Sequence, residues 1–294
     1  MNLVVGATGL LGSEICRALA AEGKPVRAFV RSTSDQSKVA QLEILGVEIA
    51  VGDLKDPSSL AAACSGASAV ISTASATISR QEGDSIQTVD LEGQLSLINA
   101  ANAAGISQFV FISSAPSDLE FPLQTAKRTV EEHLKNSGIN YTILQPTIFM
   151  EVWLSPALGF DAANAKAQIY GSGKNKISWI SYQDVAKFSV AALDNPKAQN
   201  QVIELGGPEA LSPLEVIRIF ETKLGRKFHI QNVPEEMLRQ QKENATDPLQ
   251  QTFAALMLDY SRGTVINMEQ TLQDFPVRLI SLKDFVQAGL ETGN

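Results

Sequence analysis

Residues 4 to 15 read VVGATGLLGSEI. An apolar run over 2–5 passes straight into Gly6, Gly9 and Gly12, with no charged side chain among them. Such a turn can be a plain connector, a phosphate cradle or a dinucleotide site. A P-loop requires Gly-Lys-Ser/Thr after the turn, and here Gly12 is followed by Ser13 and Glu14. The context is strand before and helix after, because Leu11, Ile15, Ala18 and Leu19 share one helical face. That context selects the dinucleotide reading. Gly6 permits the tight turn, Gly9 lets backbone approach a pyrophosphate, and Gly12 lets helix and strand pack closely. Gly6, Thr8, Gly9, Leu10, Leu11 and Gly12 are expected to hold the pyrophosphate against the helix N-terminus, whose N–H groups and dipole favour anions.

From that turn outward, strand and helix alternate. Apolar runs at 26–30, 47–51, 69–72, 108–112 and 141–145 read as strands. Between them lie helices near 37–45, 57–66, 86–104 and 122–137, the second opened by an Asp56 cap with Pro57 in its first turn. Wholly apolar strands separated by helices predict an α/β fold, a Rossmann-type doubly wound parallel sheet covered on both faces. After Pro146 the alternation lapses. An aromatic-rich loop over 148–160 is followed by IYGSGKNKISWI (169–180), which reads as a turn between short strands. A helix over 182–193, a strand over 201–205, a Ser212/Glu215 capping box and helices over 248–259 and 282–290 complete the chain. The division expected is a dinucleotide-binding domain over 1–150 and a smaller α+β substrate lobe over 151–294. Some segments of that lobe return to the core, and most of it should lie above the sheet's C-terminal edge, where such sheets bind ligands.

The 294 residues carry a net charge of -8 and are 44% hydrophobic, which suits a globular chain with a sizeable core. The acidic balance argues against nucleic-acid and membrane-surface partners. No apolar run approaches the roughly 18 residues of a spanning helix, and with a pattern of fold elements that starts at residue 2 no signal peptide is expected. Cys16 and Cys64 fall within helices without metal-ligand spacing and read as core residues of a reduced, cytoplasmic protein. His133, past the first turn of its helix and so expected exposed, and His229 have no partner at coordinating spacing, so no metal is expected. A monomer or homodimer is expected.

The end of the second strand bears on which dinucleotide binds. NAD sites place Asp or Glu there, whereas this chain has Arg31, Ser32, Thr33 and Ser34. A guanidinium with hydroxyls beside it suits the 2′-phosphate of NADP; the alternative is a solvated surface arginine. Asp53, followed by Leu54 in VGDL, either bonds the adenine amino group or forms a turn.

GATGLLG, Arg31, VGDL, DLEGQLSLINAANAAGISQFVFISS (90–114), AKRTVEEHLKNSGINYTILQP (126–146) and ISYQDVA (181–187) together resemble the NmrA-like, atypical short-chain dehydrogenase/reductase family over about residues 1–225. That group includes isoflavone reductase-like enzymes, certain quinone and dye reductases, and the NmrA regulators. The resemblance implies a Rossmann domain with a small C-terminal substrate lobe, and NADP as cofactor. Short-chain dehydrogenases carry Tyr-x-x-x-Lys on the helix after the fifth strand. Here Lys127 fills the lysine position while Leu123 stands where the tyrosine would be, so alcohol dehydrogenase chemistry is in doubt. Members of the isoflavone reductase type use a lysine at a similar place.

Lys127 can also be read directly. It falls inside the apolar stripe of Leu123, Ala126, Val130 and Leu134. Either its stem lies on the core with the ammonium paired to Glu131, or the ammonium faces the cofactor, holds the nicotinamide ribose and serves proton transfer. Ser113 and Ser114 end the fifth strand and either orient a ligand or simply satisfy the strand end. Phe121, Ile148, Phe149, Trp153, Leu154, Phe160 and Trp179 suggest a small, apolar or aromatic substrate. The resulting expectation is an NADPH-dependent reductase acting on a quinone, enone or related carbonyl compound. The rival is a non-catalytic NADP-binding regulator or assembly factor.

Overall fold

A computed structural model describes residues 1–78 and 80–292. Six strands form one parallel array: β1 (Asn2–Val5), β2 (Val26–Val30), β3 (Glu48–Val51), β4 (Ala69–Ser72), β5 (Gln108–Ile112) and β6 (Asn140–Pro146). With the strand Gln201–Leu205 beside β6, the sheet runs 201–205, β6, β5, β4, β1, β2, β3. The strand order reverses at β1, which pairs Val5 with Phe29 on one side and with Ser72 on the other. The glycine turn leaves the sheet at this switch point. The doubly wound parallel sheet expected from the apolar runs is what the chain forms.

Local chemistry explains the helices. Asp35 caps α2 (Gln36–Ile44) by accepting from Ser37 N–H at 2.9 Å, and Asp56 caps α3 (Pro57–Cys64) through Ser58 N–H at 3.0 Å. By contrast, α1 (Leu10–Ala21) starts at Gly9 with no side-chain cap and no acidic residue in its first turn. The helix expected near 86–104 is two pieces. Residues Ile86–Gly93 form a π-helix, capped by Ser85 and Thr88, which runs on as α4 (Gln94–Ala103). α5 (Pro122–Lys135) packs against that π-helix.

Two compact units divide the chain. The first comprises Met1–Ser114, Pro122–Gln145 and Val185–Ile203, and the second Ala115–Phe121, Pro146–Asp184 and Glu204–Asn294. The first is built on Leu3, Val5, Phe29, Phe109, Phe111 and Ile143, all buried. In the second, short strands do flank the 169–180 turn, and each takes its partners elsewhere in the chain. Lys166–Tyr170 pairs with Phe160–Asp161 and His229–Val233, while Ile177–Ser178 pairs with Ala210–Leu211. Both halves of the Ser212/Glu215 capping box form. Trp179 is fully enclosed, with its indole N–H on Leu211 O at 2.8 Å, and Phe160 packs on Phe220 and Phe228. These two rings, read from the sequence as ligand-facing, belong to the core of the second unit.

Candidate functional site

The glycine turn carries the geometry its spacing implied. Gly6 has φ +83, a conformation that favours glycine, and a Cβ there would meet Thr73 Oγ1 at 2.6 Å and Ala74 N at 2.9 Å. A Cβ on Gly12 would lie 2.2 Å from Gly6 O, so this glycine is required for helix–turn packing. On Gly9 it would meet only Gly6 O, at 3.1 Å, and otherwise project into open space. The turn and the uncapped start of α1 therefore leave a backbone cradle that any side chain at position 9 would fill, which fits a pyrophosphate. A groove of about 110 Å³ opens beside it, lined among others by Thr8, Gly9, Ser13, Arg17 and Lys38. Leu11 packs inward, whereas Leu10 is half exposed.

Arg31 stands at the end of β2 and forms an ion pair with Asp84, which also pairs with Lys55. The Asp84 side chain is only 1% exposed and further accepts Gln81 N–H at 3.0 Å. Burial by itself would raise the Asp84 carboxyl, but hydrogen bonds from Lys55 and Gln81 and the charges of Lys55 and Arg31 outweigh it and hold it below the usual range. Ser32 is exposed, and Ser34 Oγ takes the Arg31 N–H at 3.1 Å. Asp53 does turn-forming work, accepting Lys55 N–H at 2.8 Å, and Leu54 is buried.

Ser113 is buried at the end of β5, where its hydroxyl donates to Glu131. The same carboxylate accepts from Gln145 Nε2 at 2.9 Å and pairs with Arg128, whose guanidinium also reaches Ser114 O. Glu131 thus joins the ends of β5 and β6 to α5, and the Ser113 hydroxyl is engaged there.

Lys127 is buried at 8% exposure and does not pair with Glu131 as one reading of the stripe had it. Its Nζ donates to Ile112 O at 3.1 Å and lies 5.3 Å from the centre of the Phe111 ring. Burial lowers the Lys127 pKa, opposed first by the charge of Asp90 and then by that of Glu131. Asp90 sits on the π-helix at 2% exposure. Its Oδ2 accepts Ala76 N–H at 3.0 Å, and its Oδ1 has no partner. Burial raises its pKa, with Lys127 the largest opposing influence. Leu123, at the tyrosine position, is buried in the same helix.

The sequence reading missed Asp84, Asp90 and Lys38. For Asp90 a signal existed: with Ile86, Gly93 and Leu97 it marks one helical face at spacings of four, three and four, as Lys127 does on α5. His133 is half-buried rather than exposed, bonded to Asn99 Oδ1 at 2.8 Å. Cys16 and Cys64 are buried core residues, and burial pushes their thiols up to about 12 and about 11. Among the described residues no helix is long and apolar enough to cross a membrane.

The model of the NmrA-like family matches residues 2–273, well past the region the sequence motifs covered. An NAD(P)H azoreductase from Xenophilus azovorans is 31% identical over 274 residues, spanning 90% of each chain. Photosystem II assembly factor Ycf39 of the Synechocystis strain PCC 6803 is 35% identical over 246 residues, 81% of this chain and 72% of that one. In fold, the chain resembles the NADPH-complexed quinone oxidoreductase QOR2 of Escherichia coli, with a TM-score of 0.79 at 22% identity over 99% of this chain and 100% of the other.

Proposed function

Because the chain belongs to the NmrA-like family, we propose that it is an NADPH-dependent reductase of a small apolar or aromatic electrophile, a quinone, enone or related carbonyl compound. The observation that carries this reading is the uncapped start of α1 behind Gly9, whose missing side chain leaves backbone open to a ligand beside β1 at the switch point. The azoreductase relationship supports it. NADPH, when bound, supplies the hydride. The protein's part is binding, orientation and electrostatics. Gly6, Thr8, Gly9, Leu10, Leu11 and Gly12 hold the pyrophosphate. Arg31 takes the 2′-phosphate by exchanging Asp84 for it, with Ser32 alongside and Lys38 across the groove; Asp53 and Leu54 border the adenine. Lys127 Nζ holds the nicotinamide ribose, and its lowered pKa suits proton donation to the reduced product. Ser113 acts through Glu131, fixing the end of β5 from which Ile112 O aims Lys127. Residues 151–294 supply most of the substrate contacts, and the cytoplasm is the compartment such an enzyme would use.

NADPH oxidation followed against a panel of quinones, enones and azo dyes tests the reading. Turnover of at least one class is expected. Tight NADPH binding with no turnover of any would favour the second reading, a non-catalytic NADP-binding assembly factor, which Leu123 at the tyrosine position and the Ycf39 relationship support.

A further inference from the structure

Asp90 is a carboxylate that the reaction as described does not use. It lies on a π-helix, a form uncommon in itself and frequent at functional sites. One oxygen is spent on Ala76 N–H; the other is enclosed without a hydrogen-bond partner, although the Ser75 hydroxyl lies close enough to lower the Asp90 pKa. A buried acceptor left unpaired costs free energy, and a bound hydroxyl is a group that would relieve that cost. The surroundings show where that ligand would come from. Residues 73–76 follow β4 and lie directly against the glycine turn, since a Cβ on Gly6 would strike Thr73 and Ala74. Ala74 O accepts from Gln94 Nε2 at 3.0 Å, and Ala76 N–H binds Asp90. This short segment therefore connects the cradle at β1 to the π-helix. From α5, packed on the same π-helix, comes Lys127. Its ammonium has three donors and one hydrogen-bond acceptor, Ile112 O. Lys127 and Asp90 each feel the other as the largest opposing charge, yet they form neither an ion pair nor a hydrogen bond. An acceptor without a partner and an ammonium with donors to spare thus sit on packed elements and feel each other's charge without touching. A hydroxyl satisfies both, giving its proton to Asp90 Oδ1 and accepting on its oxygen from Lys127 Nζ.

We propose that Asp90 is a positioning residue for the cofactor, its free Oδ1 accepting a hydrogen bond from a nicotinamide-ribose hydroxyl that Lys127 contacts from the other side. This rests on the dinucleotide reading above and adds to it the residue that fixes the ribose. Asp90→Asn is the informative variant. Ala76 N–H still needs an acceptor, so the amide oxygen turns to it and the NH₂ takes the place of the free Oδ1, replacing an acceptor with a donor. The fold keeps its bond while the hydroxyl loses its partner.

Two ligands are titrated into wild type, Asp90→Asn, Lys127→Met and the double variant. They are NADPH and adenosine 2′,5′-bisphosphate, which lacks the nicotinamide ribose. Asp90→Asn should weaken NADPH about tenfold, the scale of one well-made hydrogen bond to a charged group, and leave the bisphosphate unchanged. The double variant should lose little more than Lys127→Met alone, because both residues hold one hydroxyl. Unchanged NADPH affinity in Asp90→Asn, with wild type binding both ligands, overturns the assignment and leaves the dinucleotide reading standing. Equal weakening of both ligands also overturns it, since Asp90 would then act only by supporting the turn. A wild type that binds neither removes the dinucleotide reading and this inference together.

Discussion

Arg31 and Lys127 are the two cations on which the reading of the first unit depends, and their surroundings are opposite. The Arg31 side chain is 27% exposed at the end of β2 and rests against a carboxylate already shared with Lys55. Lys127 is enclosed, held by one carbonyl and one aromatic face, with its opposite charges out of ion-pair reach. A charge paired at the surface is stable as it stands, and a ligand has to displace its partner. A charge buried without a pair destabilises the fold, because desolvation is not matched by contact. The first arrangement tunes affinity; the second makes sense where something bound uses the charge.

The sharpest way to break this comparison is Lys127→Met, which keeps the stem's volume and removes the charge. Turnover should fall at least about tenfold, corresponding to roughly 1.4 kcal/mol of lost transition-state stabilisation. The melting temperature should stay level or rise, since the ammonium is a cost to the empty protein. Full turnover in the variant would make Lys127 a core lysine with no part in the reaction. Full turnover loss together with a collapsed melting temperature would make its bond to Ile112 O structural.

Arg31 should give a smaller effect. A charge-assisted hydrogen bond contributes roughly 1.5–3 kcal/mol, but the 2′-phosphate must displace Asp84, so part of that gain is offset. Arg31→Ala should lower the preference for NADPH over NADH about tenfold, measured by titrating both cofactors. Asp84→Asn frees Arg31 and Lys55 from their competitor and should tighten NADPH about threefold, well under one such bond, while leaving NADH alone. Weaker NADPH binding in Asp84→Asn would mean that Asp84 orients the arginine rather than competing for it.

The fold was legible because its signals are local. Apolar runs, Asp56-Pro57, and glycines at helix ends specify strand, helix and stop within a few residues, and the sheet follows from their alternation. The glycine turn was legible for the same reason, since the positive φ of Gly6 and the contact of Gly12 with Gly6 O are settled within a dozen residues, although the closeness of Gly6 to Thr73 and Ala74 is not. What was not legible depends on distant pairing. Asp84 reaches Arg31 across 53 positions, and no property of either segment announces it. The π-helix differs from an α-helix only in which carbonyl each N–H selects, so 86–93 carries no compositional mark. The turn between 169 and 180 was recognised, but its flanking strands pair with partners that lie elsewhere in the sequence.

The smallest effect expected is on the pH dependence of stability, and it separates the two regions by sign. Asp84 has a folded pKa held below its ordinary value near 3.8, because Lys55, Gln81 N–H and Arg31 overcome the burial that opposes them. Its contribution is therefore complete above that value and disappears as the pH falls through the lower folded pKa. Asp90 is shifted the other way, upward by burial against the pull of Lys127. Its ionised form burdens the native state, so relative stability is fully present below about 3.8 and is lost as the pH rises through the higher folded pKa. Asparagine at either position removes the titration. The melting-temperature gap between wild type and Asp84→Asn should narrow on acidification below about pH 4, where carboxylates begin to protonate. The gap between wild type and Asp90→Asn should instead move in favour of wild type as the solution is acidified from neutrality. Thermal unfolding of the three proteins from pH 7 to pH 3 measures both slopes. Parallel slopes would mean that the two carboxylates share one kind of environment, and the contrast between an ion-paired carboxylate and an unpaired one would fail.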